Sequence, residues 1–149
     1  MKQETFDSVL RSTWNLVSKM YNKEASKFDS TMATGFALLS IDSKGTPSTT
    51  LGPKMGMEST SLSRLLNTME ERNLIYRTQN PNDGRSILIH LTAFGKEKRD
   101  DSKAVVLHFN KIIEQALSPK KIKVFFEVMN CIKENAQNFE HFTPTLKTK

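Results

Sequence analysis

Between Met57 and Thr92 a hydroxyl-rich helical segment runs straight into a short β-hairpin. Leu62, Leu65, Leu66 and Met69 recur at steps of three and four, so a helix from about Ser59 to Asn73 turns one apolar face inward. Ser59, Thr60, Ser63, Asn67 and the charged residues, Arg64 among them, fall on its other faces. Leu74 to Thr78 and Ser86 to Leu91 then read as two strands around Pro81-Asn82-Asp83-Gly84, a turn in which Gly84 is able to take positive φ. On the returning strand, Ile87, Ile89 and Leu91 share one face, with Leu88 and His90 on the other. Asp83 and Arg85 stand at the hairpin tip.

Long helical patterns flank this segment. Phe6, Val9, Leu10, Trp14, Val17, Met20, Tyr21, Ala25 and Phe28 form one apolar stripe over residues 5 to 28. Asp29-Ser30 offers a cap for a second helix, Thr31 to Ile41, which stops at Asp42-Ser43-Lys44-Gly45. After the extended Thr46-Pro47-Ser48, Ser48 is placed to cap a brief third helix to Met55, ended by Gly56. Gly52-Pro53 falls inside that helix and should make it short or irregular. Thr92 can cap a long helix from Ala93 to Leu117. Ser118-Pro119 starts a last one, which carries Ile122, Phe125, Phe126, Met129 and Ile132 to about Asn138. The tail from Thr143 to Lys149 reads as frayed.

The expected fold is mainly α with a small β-hairpin wing, a winged helix-turn-helix. The 149 residues suffice for one domain with a real core. Within it, about 31–92 is the winged lobe, and about 5–28 and 93–140 are helices too apolar for a small monomer's surface. Those helices are expected to pair with the same helices of a second copy, giving a homodimer. No apolar run reaches the roughly 18 residues of a membrane span, and Met1-Lys2-Gln3-Glu4-Thr5 lacks a secretory apolar stretch. With Cys131 the only cysteine, no internal disulfide can form, and a reducing cytoplasm is expected.

The formal net charge of +6 favours a polyanionic partner. Its distribution makes it supporting evidence only. From Ser48 to Thr92, the five cations Lys54, Arg64, Arg72, Arg77 and Arg85 face the four carboxylates Glu58, Glu70, Glu71 and Asp83.

In order and spacing these pieces resemble the MarR family of bacterial transcription regulators, the multiple-antibiotic-resistance type. The likeness in layout runs from about residue 5 to 140. Met55-Gly56-Met57 looks like that family's turn before the recognition helix. Leu62-Ser63-Arg64-Leu65-Leu66, followed by Met69-Glu70-Glu71-Arg72-Asn73-Leu74-Ile75-Tyr76-Arg77, looks like its central signature. Asn80-Pro81-Asn82-Asp83-Gly84-Arg85-Ser86, with Leu91-Thr92 and Gly95, looks like its wing and the start of the next helix. Asn73 stands where the family usually has glycine, and asparagine also tolerates a left-handed helix end. Gly84 stands where the family often has a further arginine.

The resemblance implies a homodimer on pseudo-palindromic double-stranded DNA, with two recognition helices in successive major grooves. It also suggests release by a small-molecule effector, of a phenolic or otherwise lipophilic kind. On the residues themselves, Ser59, Thr60 and Ser61 are candidates to meet phosphate or base edges at a helix N-terminus, with Ser63 one turn in. Arg64 is the candidate for guanine O6 and N7. Arg85 suits the narrow minor groove, and Asp83 is expected to hold either that arginine or the wing backbone. Lys54 and Arg77 are candidate phosphate contacts, with Ser48 and Thr49 weaker ones.

Each piece also has a plainer reading. The hydroxyls alone suit an N-cap cluster, the arginines a solvated face, and Asn82-Asp83-Gly84 an ordinary turn. It is their combination that points to nucleic acid. His90, His108 and His141 lack metal-ligand spacing, so neither metal nor cofactor is expected. Cys131, near Met129 and Ile132, reads as a buried small apolar residue. Trp14, Met20, Tyr21, Phe28 and Phe36 suit either core or the lining of a ligand pocket. With no phosphate loop, nucleophile elbow or paired carboxylates, an enzyme is not expected. The competing classes are a winged-helix protein-interaction module and a ligand-binding dimer without operator recognition.

Overall fold

The computed structural model describes residues 4–144. Met1–Gln3 and Thr145–Lys149, which hold most of the expected frayed tail and part of the N-terminal reading, lie outside the described residues. The elements are α1 (Phe6–Ser26), α2 (Met32–Ser40), β1 (Thr46–Pro47), α3 (Ser48–Met55), α4 (Ser59–Glu71), β2 (Ile75–Gln79), β3 (Ile87–Leu91), α5 (Ala93–Ala116) and α6 (Pro119–Gln137). Two compact units result, one ending at Leu107 and one beginning at His108, with α5 running through the boundary. No described helix is long and apolar enough to cross a membrane.

In the first unit, α1 begins in a capping box. The Ser8 N–H donates to Thr5 Oγ1 at 3.4 Å, and the Thr5 N–H donates to Ser8 Oγ at 3.2 Å. The cap of α2 differs from expectation. Thr31, not Asp29 or Ser30, accepts the Thr34 N–H at 3.2 Å. Asp29 instead adopts a left-handed φ of 53° in the turn that closes α1, where a short polar side chain is tolerated. Ser48 does not cap α3 either. It is already the first helical residue, and its Oγ accepts the Ile87 N–H at 3.5 Å. α3 continues through Pro53 for two residues and ends at Gly56, whose φ of 63° only glycine adopts freely. The Met57 N–H returns to the Gly52 carbonyl at 2.9 Å, closing the helix end.

The core is built by α2, α3, α4 and the sheet. Ala37, Leu38, Ile41, Leu51, Leu62, Leu66, Met69, Leu74, Ile75, Ile89 and Leu91 are buried together, with Met55 and Leu65 against them. Each such leucine or isoleucine stabilises the fold by roughly 1.5–3 kcal/mol relative to exposure. The sheet has three antiparallel strands in the order β1-β3-β2, so the expected hairpin gains a short third strand. Thr46 pairs with Ile89, and Tyr76 with His90. Ile89 and Leu91 reach the core, while Ile87 lies nearer the hairpin tip and is exposed.

One junction fixes how α4, the hairpin and α5 meet. Asn73 takes a left-handed φ of 59°, and the Asn73 and Leu74 N–H groups return to Glu70 O and Met69 O, both at 2.9 Å. The Leu74 carbonyl then accepts the Thr92 N–H at 3.1 Å, and the Thr92 hydroxyl donates to the Asn73 carbonyl at 2.6 Å, with the Leu74 oxygen 3.2 Å away. Thr92 also caps α5, accepting the Gly95 N–H at 2.9 Å. Gly95 is buried so closely that a Cβ there would fall on the Leu74 carbonyl oxygen.

In the second unit, Ser118 caps α6 by accepting the Lys121 N–H at 3.4 Å, with Pro119 at the first position. No residue of α6 is buried within the single chain. Phe125 and Phe126 meet edge to face yet stay mostly exposed. Cys131 is exposed, against the expectation of burial, because nothing in the described chain covers its face of α6.

Gly95→Ala should destabilise the protein by about 1–3 kcal/mol, since the added methyl meets backbone rather than a movable side chain. Thermal melting at matched protein concentration should show a fall of several degrees. An unchanged melting temperature would show that the junction can open without cost.

Candidate nucleic-acid interface

α4 has an amphipathic design whose polar side is left unspent. Leu62, Leu66 and Met69 are buried, which turns Thr60, Ser63, Arg64 and Asn67 outward. The N-cap position is Glu58, and no side chain caps the helix. Ser59, Thr60, Ser61 and Ser63 therefore do not form an N-cap cluster. Among the described residues their hydroxyls have no hydrogen-bond partner. The first helical bond is from the Leu62 N–H to the Glu58 carbonyl at 2.9 Å, so the N–H groups ahead of it point out of the helix end. Hydroxyl donors, free N–H groups and the positive end of the helix dipole converge on the same turn.

The hairpin tip is built by side chains rather than by glycine. Gly84 is not among the residues with positive φ, so its expected role in the turn is not used. Asn80 Oδ1 accepts the Asn82 N–H at 3.0 Å, and Asn80 Nδ2 donates to the buried Ser86 Oγ at 2.8 Å. Asp83 Oδ1 accepts the Arg85 backbone N–H at 2.9 Å. The carboxylate thus holds the wing backbone and leaves the Arg85 guanidinium exposed.

The four cations singled out from the sequence divide into two kinds. Arg64 and Arg85 are exposed and have no ion-pair partner among the described residues. Lys54 donates to the Ser40 carbonyl at 2.8 Å and lies 3.7 Å from Asp42 Oδ1, which ties α3 to the end of α2. Arg77 Nη2 donates to Asn67 Oδ1 at 2.7 Å. Its Nε is buried 3.1 Å from Glu70 Oε2 without the alignment of a hydrogen bond, so that contact is an ion pair. Sequence reading named Arg77 but missed its partners Asn67 and Glu70. The signal was there, in two polar residues three apart on the helix flank.

A second feature of the first unit is a cavity of about 100 Å³, where one water occupies roughly 10–15 Å³ on the same measure. Tyr21, Phe28 and Phe36 line it, as the aromatic pattern allowed, whereas Trp14 and Met20 do not. Trp14 stacks on Phe36 with centroids 6.4 Å apart and is half exposed. Burial raises the Tyr21 phenol above its ordinary pKa. Lys98 reaches the lining with its ammonium 5.4 Å from the Phe94 centroid and 3.3 Å from Asp101 Oδ2. Arg72 and Leu74, at the end of α4, complete the wall beside the wing.

His90 is occupied structurally. Its Nε2 lies 2.8 Å from Thr78 Oγ1, and its ring stacks on Tyr76 at 4.9 Å. Among the described residues no group of three or more His, Cys, Asp or Glu is placed to hold a metal.

Comparison with known proteins follows this geometry. Residues 31–87, from α2 to the start of β3, match the model of the MarR family. The chain is 27% identical over 90 residues to the uncharacterized HTH-type transcriptional regulator YdgJ of Bacillus subtilis, covering 60% of this chain and 55% of that one. It thus spans little more than half the length of that relative. It is 28% identical over 133 residues to the HTH-type transcriptional regulator SarZ of Staphylococcus saprophyticus, covering 85% and 82%. Its fold is similar to that of S. aureus MepR in a MepR–DNA complex, with a TM-score of 0.81 at 18% identity over 89% of this chain and 99% of that one. The family match takes in α4 and the hairpin as far as the start of β3, and both named relatives are HTH-type transcriptional regulators. Over residues 31–87 the chain is thus similar to the MarR family, and its fold is similar to that of MepR.

Proposed function

We propose that this chain is a sequence-specific DNA-binding repressor that acts in the cytoplasm as a homodimer on pseudo-palindromic operator DNA. The observation that carries this reading is the unspent chemistry on one continuous segment. Four hydroxyls, free N–H groups and an unpaired Arg64 sit on a helix that runs into a hairpin tipped by an unpaired Arg85. Ser59, Thr60, Ser61 and Ser63 meet phosphate and base edges. Arg64 reads a base in the major groove, and Arg85 enters the minor groove beside it. MepR, of the same fold, has been solved on DNA.

The dimer is supported by apolar surface that a lone chain leaves wet. On α1, Phe6 is 74% and Leu16 70% exposed, and on α6 Phe126 is 60% exposed. Exposed apolar area of this extent marks an interface. A two-fold pair sets two recognition helices about one helical turn of DNA apart.

The cavity supports the effector part of the reading. A small lipophilic molecule seated there touches Arg72 and Leu74, the residues through which α4 hands the chain to the wing. Such a ligand releases DNA if it binds better to the placement of α4 that does not fit the duplex.

Affinity for random duplex DNA, titrated between about 50 and 200 mM salt, should fall linearly on a log–log plot as counterions are released. A chain with no DNA affinity even at low salt would be a protein-interaction module or a ligand-binding dimer instead. On a selected duplex, Arg85→Ala should cost about 1–3 kcal/mol of affinity. A gel-shift titration that overlays the parent's would remove Arg85 from the interface. Arg64→Ala should lower the ratio of specific to random binding as well as the affinity. If that ratio survives, Arg64 touches only phosphate.

A further inference from the structure

The cavity and the apolar helix faces already belong to the proposed function. The group that it does not use is the arm from β2 to α4. Arg77 sits at the third position of β2, yet its guanidinium reaches back across the corner to the flank of α4. There it engages two residues one helical turn apart, Asn67 at 2.7 Å and Glu70 at 3.1 Å. We infer that Arg77 is a positioning residue that fixes the angle between the recognition helix and the wing and orients Asn67 toward DNA, rather than a phosphate contact. This assignment rests on the DNA-binding reading above.

Three observations carry it. First, the charge of Arg77 is already matched by Glu70, and its Nε is buried. A cation so neutralised releases few counterions from a phosphate. Second, the chain between α4 and β2 is only Arg72, Asn73 and Leu74, with Asn73 in the left-handed region. The backbone sets where the corner turns, and the two-pronged contact beyond it holds the helix flank to the strand. β2 pairs with β3 from Ile75–Leu91 to Gln79–Ile87, so a fixed β2 also fixes the base of the wing.

Third, a guanidinium has only donors, so the Asn67 atom facing it is the amide oxygen. That engages Oδ1 and turns the Nδ2 donors away from Arg77. Asn67 is exposed and follows Ser63 by one turn on the same flank of α4. It therefore presents hydrogen-bond donors. These suit guanine O6 or N7, or a phosphate, better than adenine, whose bidentate pairing also uses the amide oxygen.

The test compares the intact protein with Arg77→Ala, Arg77→Lys and Asn67→Ala. The probes are a duplex that the parent selects from random DNA and a scrambled duplex of equal length, each over a salt series. Circular dichroism and melting establish that each variant is folded. Arg77→Ala should lose about tenfold or more of the preference for the selected duplex, while its salt slope on the scrambled duplex matches the parent's. Arg77→Lys should lose most of the preference too, because an ammonium keeps the charge but not the fork. Asn67→Ala should lose a similar amount, and the Ala–Ala double variant little more than either single one. Should Arg77→Ala fail to fold, Arg77→Lys carries the comparison.

A salt slope lowered by about one contact with the preference intact, restored by lysine, would make Arg77 a phosphate anchor and overturn the assignment alone. Parental values for every variant would overturn it equally. A parent with no salt-dependent DNA affinity overturns the DNA-binding reading and this assignment with it.

Discussion

The fold turns on the carbonyl of Leu74. It accepts from the backbone of Thr92, whose hydroxyl donates to the adjacent Asn73 carbonyl, and Gly95 packs against it without room for a methyl group. Just before it, the left-handed Asn73 lets the chain leave α4 and enter β2 at once. Just after Thr92, α5 begins. The end of α4, the wing and the start of α5 are therefore positioned by the neighbouring carbonyls of Asn73 and Leu74. Leu74 is itself a core residue, so apolar burial and polar satisfaction reinforce each other at this point.

From that junction outward the polar groups divide into those used internally and those left for a partner. Lys54 and Arg77 are tied to neighbouring elements, Asp83 and Asn80 to the wing backbone, and Ser48 to β3. The hydroxyls at the start of α4, with Arg64 and Arg85, are left over. Between Ser48 and Thr92, Arg77 is paired with Glu70 and Lys54 with Asp42 just outside the stretch, whereas Arg64 and Arg85 have no ion-pair partner among the described residues. Base readout depends more on such placement than on net charge.

The sequence made the winged lobe legible because its signals are local. The leucine spacing of α4, the alternation of β3, the Ser118-Pro119 start of α6 and the Gly56 stop all act within a few residues. Asn73 was legible for the same reason, since few other side chains accept its φ. The misses were choices among neighbours or contacts across elements. Thr31, Asp29 and Ser30 are all able to cap, and only tertiary placement decides for Thr31. Ser48 reads as a cap of its own helix because its partner Ile87 is far away in sequence. Gly84 invites a glycine turn, which Asn80 and Asp83 make with their side chains instead. Arg77 reads as a candidate phosphate contact, and no linear pattern shows the Glu70 that its guanidinium pairs with across the corner. Cys131 read as buried from apolar neighbours whose cover the described chain does not contain.

The most direct measurement is selection of bound fragments from random duplex DNA by the purified protein, followed by sequencing. A pair of two-fold-related recognition helices predicts an inverted repeat whose half-sites lie about 10 base pairs apart, centre to centre. Recovery of a single unrepeated site, or of no enriched sequence at all, would contradict the paired reading of one duplex.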